Sequence, residues 1–187
     1  DYKILLTLAF LGIAGFNTVL YIGLSMTTAT NALIINSSIP ILILILSFFI
    51  LKQAINKRQL SGILLSTAGV IFLILHGDLN NLFSLEFNRG DFLVILSSSI
   101  WALYSVLLGF RPTELSDFEF FSTIVSLGLF ILLPIYLYQG YTLEHEMALI
   151  VDYYYVFIYV SLFTSVASYY FWHQGIQSLG ASKTGQF

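Results

Sequence analysis

Residues 17–52 read NTVLYIGLSMTTATNALIINSSIPILILILSFFILK. No charged side chain occurs in this stretch until the final lysine. A membrane-crossing strand needs only about 9–11 residues and alternates apolar with polar positions, which this stretch does not do. A membrane-crossing helix needs about 20 mostly apolar residues. Backbone groups in hydrocarbon must also be satisfied within the segment, so an unbroken apolar run of this length predicts helix. The stretch therefore reads as the end of one transmembrane helix, a short turn, and the whole of a second. Working outward, the same pattern predicts six spans, over residues 4–25, 32–51, 59–76, 91–109, 118–138 and 153–177, with a seventh beginning near Gly180.

Composition agrees. Apolar residues make up 58% of the 187 and charged residues 9%. A soluble domain is about 45–50% apolar and about 25% charged. The expected class is an all-α integral membrane protein, a polytopic helix bundle in contact with the lipid bilayer. Aromatics reach 17%, many near span ends, where amphipathic rings favour the headgroup layer. With no cysteine there is no disulfide, Cys-ligated zinc or thiol chemistry. The net charge of −3 and the lack of a basic cluster argue against nucleic acid as a partner. No P-loop is present, and no cofactor or metal is expected. Asp1 is not an initiator Met and Phe187 falls inside a new apolar stretch, so an internal piece of a longer protein is expected.

Cations set the orientation. Lys3, Lys52, Lys57, Arg58, Arg111 and Lys183 fall on one side of the predicted spans, and only Arg89 on the other. By the positive-inside rule the first side, with the loop over residues 52–58, is cytoplasmic. The opposite connections carry Asp78, Glu86, Glu144, Glu146 and Asp152. Local signals fit the span ends. Ser116 with Glu119 reads as a capping box, Gly77-Asp78 as a helix stop and Gly90-Asp91 as a helix start.

Part of the chain repeats at an offset of 152 residues, with Ile13 to Leu33 matching Ser165 to Gly185 in pattern. The first span runs outward and the sixth inward, so the repeat is inverted, as in secondary transporters with a mid-membrane site. Asn17 and Tyr21 lie four apart on the first span, and their counterparts Tyr169 and His173 lie four apart on the sixth. The expectation is two polar pairs facing each other across a central cavity.

Four stretches then resemble one family. Residues 17–52 resemble its third and fourth helices, RQLSGILLSTAGVIFLI at 58–74 its fifth, RGDFLVILSSSIWALYSVL at 89–107 its sixth, and SYYFWHQGIQSLGAS at 168–182 its eighth and the turn into the ninth. In that order and spacing they identify an EamA-like permease of the drug/metabolite transporter superfamily. The family's usual form is ten helices in two inverted repeats of five. The resemblance implies the last three helices of the first repeat over 1–76, an extracytoplasmic loop over 77–90, and the first three helices of the second repeat over 91–187. The family commonly has an acid where this chain has Gln53, so no role is expected for that acid here.

Further candidates follow from single residues. Pro40 interrupts the second span and frees the carbonyl of Asn36, beside Ser37 and Ser38, a polar kink of the kind found at transporter sites. In the fourth span Ser97, Trp101, Tyr104 and Ser105 share a face. In the sixth, Ser161, Ser165, Ser168 and Trp172 form a stripe beside Tyr169 and His173. The substrate-cavity candidates are therefore Asn17, Tyr21, Asn36, Ser37, Pro40, Trp101, Tyr104, Tyr169, Trp172 and His173. An imidazole inside a span would suit proton coupling through His173. His76 and His145 are expected at helix ends or in loops. Gly62, Ser66 and Gly69 in the third span are expected to let helices approach closely.

The expected function is a non-enzymatic secondary carrier. It would export small metabolites, amino acids or drug-like compounds by alternating access, in a bacterial inner (plasma) membrane, with no nucleotide drive of its own and with room for a homodimer. Two rivals remain: a rhomboid-like intramembrane protease using Ser25 with His173, and a membrane scaffold that transports nothing.

Overall fold

A computed structural model describes residues 2–78, 80, 86–138, 140 and 143–186, the side chains of 143–145 excepted. Among these residues all regular structure is helical. Six helices are long and apolar enough to cross a membrane: α1 (Tyr2–Leu24), α2 (Ala29–Leu51), α3 (Lys57–Ile74), α4 (Arg89–Phe110), α5 (Asp117–Tyr138) and α7 (Tyr154–Leu179). They match the six expected spans to within a few residues at each end. Two shorter helices are α6 (Leu143–Asp152) and α8 (Ala181–Thr184). The acidic connection carrying Glu146 and Asp152 is thus helical rather than an open loop. His145, expected in a loop, also has helical backbone; its side chain lies outside the described residues.

The helix ends follow their capping chemistry. Asn88 accepts from the Asp91 N–H at 3.1 Å while Asp91 accepts from the Asn88 N–H at 2.8 Å, closing a capping box on α4. Ser116 and Glu119 close a second one on α5. At the end of α3, Gly77 takes a positive φ of 78° and its N–H reaches the Phe72 carbonyl at 2.9 Å. The second span is broken at Ser37 and Ser38, with Pro40 in the first turn of its second half. Proline tolerates that position because it has no N–H to lose there.

Helix α4 is the centre of the packing. A larger share of it is buried than of any other span. It packs against α1, both halves of α2 and the end of α7, while α5 covers the other side of α1. Close approach depends on glycine at two places. A methyl on Gly90 would lie 2.6 Å from the Gly23 carbonyl oxygen, so α1 and α4 touch backbone to backbone. A methyl on Gly12 would lie 2.4 Å from the Tyr104 ring. At Gly62 and Gly69, the glycines expected to serve this role, a methyl would meet nothing within 4 Å among the described residues. Helix α3 lies at the edge of the bundle, so its small face has no neighbour among the described residues.

Two polar clasps close the ends of the bundle. At one end the fully buried Asp91 carboxylate accepts from the Thr27 hydroxyl and from Asn31 Nδ2 at 3.1 Å, tying the α1–α2 turn to the start of α4. At the other, Asp117 pairs with Arg111 at 2.6 Å and accepts from Gln177 at 2.8 Å and from Gln174, tying the α4–α5 turn to α7.

Candidate functional site

Both α1 and α7 leave regular α-helical geometry at one place. Residues Ala9–Gly15 and Val160–Ala167 are π-helical, each held by an i→i−5 hydrogen bond at its end. In α1 the Phe16 N–H donates to the Leu11 carbonyl, and in α7 the Ser168 N–H donates to the Phe163 carbonyl. The second bond joins residues 152 positions beyond those of the first, the separation that also relates Asn17 to Tyr169. Such π turns are uncommon and cluster at functional sites, because they re-aim the side chains that follow. The residues that follow are Asn17 and Tyr169, and they meet: Asn17 Nδ2 lies 3.2 Å from the Tyr169 hydroxyl. Tyr169 donates in turn to the Gly12 carbonyl at 2.5 Å, and Asn17 Nδ2 also reaches the Ile13 carbonyl at 2.9 Å. Side chains thus bond to two carbonyls of the π turn of α1.

Aromatic rings gather on one flank of this crossing. The Trp101 ring lies 4.6 Å from Phe16, 5.2 Å from Tyr169, 5.3 Å from Tyr104 and 5.6 Å from Trp172, centroid to centroid. Trp172 Nε1 donates to Ser105 at 3.1 Å, and Ser105 donates to the Trp101 carbonyl at 2.8 Å. A cavity of about 310 Å³ opens between α1, α4 and α7. Its walls are Phe16, Asn17, Leu20 and Tyr21 from α1, Trp101 from α4, and a polar strip of α7 running from Thr164 to Trp172. A second cavity of about 220 Å³ lies on the α5 side of the same crossing and shares Asn17, Ser165 and Tyr169. A larger groove of about 450 Å³ runs along α5, but its lining is almost wholly apolar and offers little to orient a solute.

The expected site residues divide into three groups. Asn17, Tyr21, Trp101, Tyr169 and Trp172 all line the 310 Å³ cavity. Tyr104 and His173 lie beneath it, buried and hydrogen-bonded to each other through the Tyr104 hydroxyl and His173 Nε2. Asn36, Ser37 and Pro40 are elsewhere, in the break of α2. There Asn36 accepts from Ser98 of α4 at 2.9 Å, and the Ser37 carbonyl accepts from Thr67 of α3 at 3.1 Å. Asn36 and Ser37 thus bond to neighbouring helices, and none of these three residues lines the 310 Å³ cavity.

The facing of two polar pairs across a cavity is corrected. Asn17 and Tyr169 touch, while Tyr21 is 61% exposed and His173 only 5%. Antiparallel helices that cross at equivalent residues send the next pair along in opposite directions. Here Tyr21 lines the cavity and His173 lies in the core. Phe16, Leu20 and Thr164 line the cavity without having been singled out. The only sequence signal for Phe16 is its place directly before Asn17. Ser25 and His173 do not form a dyad: Ser25 donates to the Ile22 carbonyl at 2.8 Å, and His173 is bonded to Tyr104.

The EamA-like transporter family matches residues 1–75 and 88–187. The uncharacterized transporter YyaM of Bacillus subtilis is 32% identical over 186 residues, covering 97% of this chain and 59% of that protein. The uncharacterized transporter YetK of the same organism is 32% identical over 188 residues, covering 100% of this chain and 56% of that protein. An uncharacterized transporter of Methanothermobacter thermautotrophicus is 30% identical over 186 residues, 99% of this chain and 53% of its own. The chain thus spans a little over half the length of the relatives it matches. No solved structure matches it.

Proposed function

This chain belongs to the EamA-like transporter family, and from that membership we propose that it carries the central cavity of a secondary carrier for small, part-apolar solutes. The observation that carries the reading is the direct contact between Asn17 and Tyr169, residues related by the internal offset of 152. A residue that touches its own symmetry counterpart lies at the two-fold axis. In inverted-repeat transporters that axis runs in the membrane plane and the solute binds beside it. The matching π turns of α1 and α7 support the same axis.

On this reading residues 1–76 supply three helices of the first repeat, 77–90 the extracytoplasmic connection, and 91–187 three helices of the second with the start of a fourth. The protein exports metabolites, amino acids or drug-like compounds by alternating access. It lies in a bacterial inner (plasma) membrane with the connection over residues 52–58 in the cytoplasm; relatives in Bacillus subtilis are consistent with a bacterial membrane, and the six cations support the sidedness. Proton coupling would pass through His173, whose ring shares a hydrogen bond with Tyr104 directly under the cavity.

The test is overproduction of the intact protein in bacterial cells, with intracellular amines, amino acids and nucleobases measured by mass spectrometry. At least one class is expected to fall several-fold, and Asn17→Ala or Trp101→Ala to abolish the fall. No change in any class, with the protein folded and inserted, would contradict the reading.

A further inference from the structure

Resting on that reading of the cavity, we propose that the solute is held by an organic ammonium group, against the aromatic faces and acceptor oxygens between α1, α4 and α7. The argument is an inventory of donors and acceptors. Asn17 Nδ2 is spent on the Gly12 and Ile13 carbonyls and on Tyr169. The Tyr169 hydroxyl donates to the Gly12 carbonyl. Trp172 Nε1 donates to Ser105. The Thr164 hydroxyl donates to the Val160 carbonyl at 2.8 Å and the Ser168 hydroxyl to the Phe163 carbonyl at 2.9 Å. Most of the lining donors are therefore turned into the helices.

What remains for a solute is chiefly of the opposite kind. Asn17 Oδ1 accepts from no donor among the described residues, and the Thr164 and Ser168 oxygens keep lone pairs. Trp101 Nε1 and the Tyr21 and Ser165 hydroxyls retain donors, but the two hydroxyls accept as readily. Among the described residues none that lines the cavity is cationic. A carboxylate or phosphate in this cavity would meet too few donors to replace its water, and burying such a charge without partners is costly. An ammonium meets oxygens and π faces instead. Rings attract a cation held within about 6 Å of their centroids, most strongly when the ring is Trp. Phe16, Tyr169 and Trp172 all have centroids within 5.6 Å of that of Trp101, so a cation against Trp101 has further rings beside it. At about 310 Å³ the cavity is at the small end of the usual range of about 300–1,000 Å³, which suits a single-ring or short-chain amine.

Three probes of one size and different charge test this by calorimetric titration of the intact purified protein at neutral pH: benzylammonium, benzyl alcohol and benzoate. Benzylammonium is expected to bind about tenfold tighter than benzyl alcohol, with benzoate weakest. Trp101→Phe, which keeps a ring and loses the N–H, should retain most of that preference, and Trp101→Leu should lose it. Phe16→Leu, at a half-buried position, should reduce it and serves if Trp101→Leu does not fold. Equal binding of the alcohol, or tighter binding of benzoate, with dependence on Trp101 would overturn the ammonium assignment and leave the cavity standing as a site. Absence of Trp101-dependent binding by all three would overturn both.

Discussion

Gly12 shows how one backbone atom can hold a crossing together. Its carbonyl accepts from Tyr169, and its missing side chain leaves room for the Tyr104 ring. Gly12→Ala places a methyl 2.4 Å from that ring, and overpacking of this kind costs about 1–3 kcal/mol. A lower unfolding temperature for the solubilised protein is expected, with partial recovery in the double variant Gly12→Ala/Tyr104→Leu. Asp91 has a different kind of leverage. It is fully buried and accepts from Thr27, Asn31 and Asn88. Asp91→Asn puts an amide donor among donors, and hydrogen bonds to a charged group are worth about 1.5–3 kcal/mol each. Destabilisation by at least one such bond is expected in a denaturation series, and a variant as stable as the parent would contradict the clasp. Asp91 was read from the sequence only as a helix start. Its partners on the α1–α2 turn lie some 60 positions away, and no local pattern announces them.

At the scale of the helix, the two π turns carry the geometry of the site. A π turn holds one residue more than the α-helical register needs, so deleting one residue within 13–15 should restore regular bonding in α1. The same deletion rotates everything before or after it by about 100°, the angle per residue of a 3.6-residue turn. Asn17 and Gly12 could not then both keep their bonds to Tyr169. Loss of solute flux with membrane insertion retained is expected for that deletion, and full flux would separate the π turn from function. The spans themselves were legible because length and apolarity decide them, and the caps because Asn88, Asp91, Ser116 and Glu119 carry their own local signals. The π turns were not legible. In a uniformly apolar run such as TLAFLGIAG at 7–15, i→i−4 and i→i−5 bonding look alike, and packing against α4 and α5 selects between them. The break in α2 was legible from Pro40, yet the bonds that Asn36 and Ser37 make to Ser98 and Thr67 depend on which helices lie beside it.

For the molecule as a whole, the internal offset told more than any single motif. It paired Asn17 with Tyr169 before any contact was known, and the structure joins them. It could not say whether equivalent residues face each other or touch, because that depends on how close α1 and α7 pass at their crossing. The charge distribution makes a separate prediction about sidedness. The sequence holds no cysteine, so single cysteines report cleanly. With an impermeant thiol reagent on intact cells, Asn88→Cys is expected to label from outside, and Gln53→Cys only after the membrane is opened. The reverse pattern would invert the protein.

The central claim is that α1 and α7 cross at Asn17 and Tyr169 beside the solute path. Asn17→Cys/Tyr169→Cys in the intact protein, treated with a short bifunctional thiol reagent, tests it most directly, with Asn36→Cys/Ser98→Cys as a pair in contact away from the cavity. The account predicts that both pairs cross-link, that the 17/169 protein carries no flux and that the 36/98 protein keeps it. Failure of the 17/169 pair to cross-link while the 36/98 pair does so, or unimpeded flux through the cross-linked 17/169 protein, would contradict it.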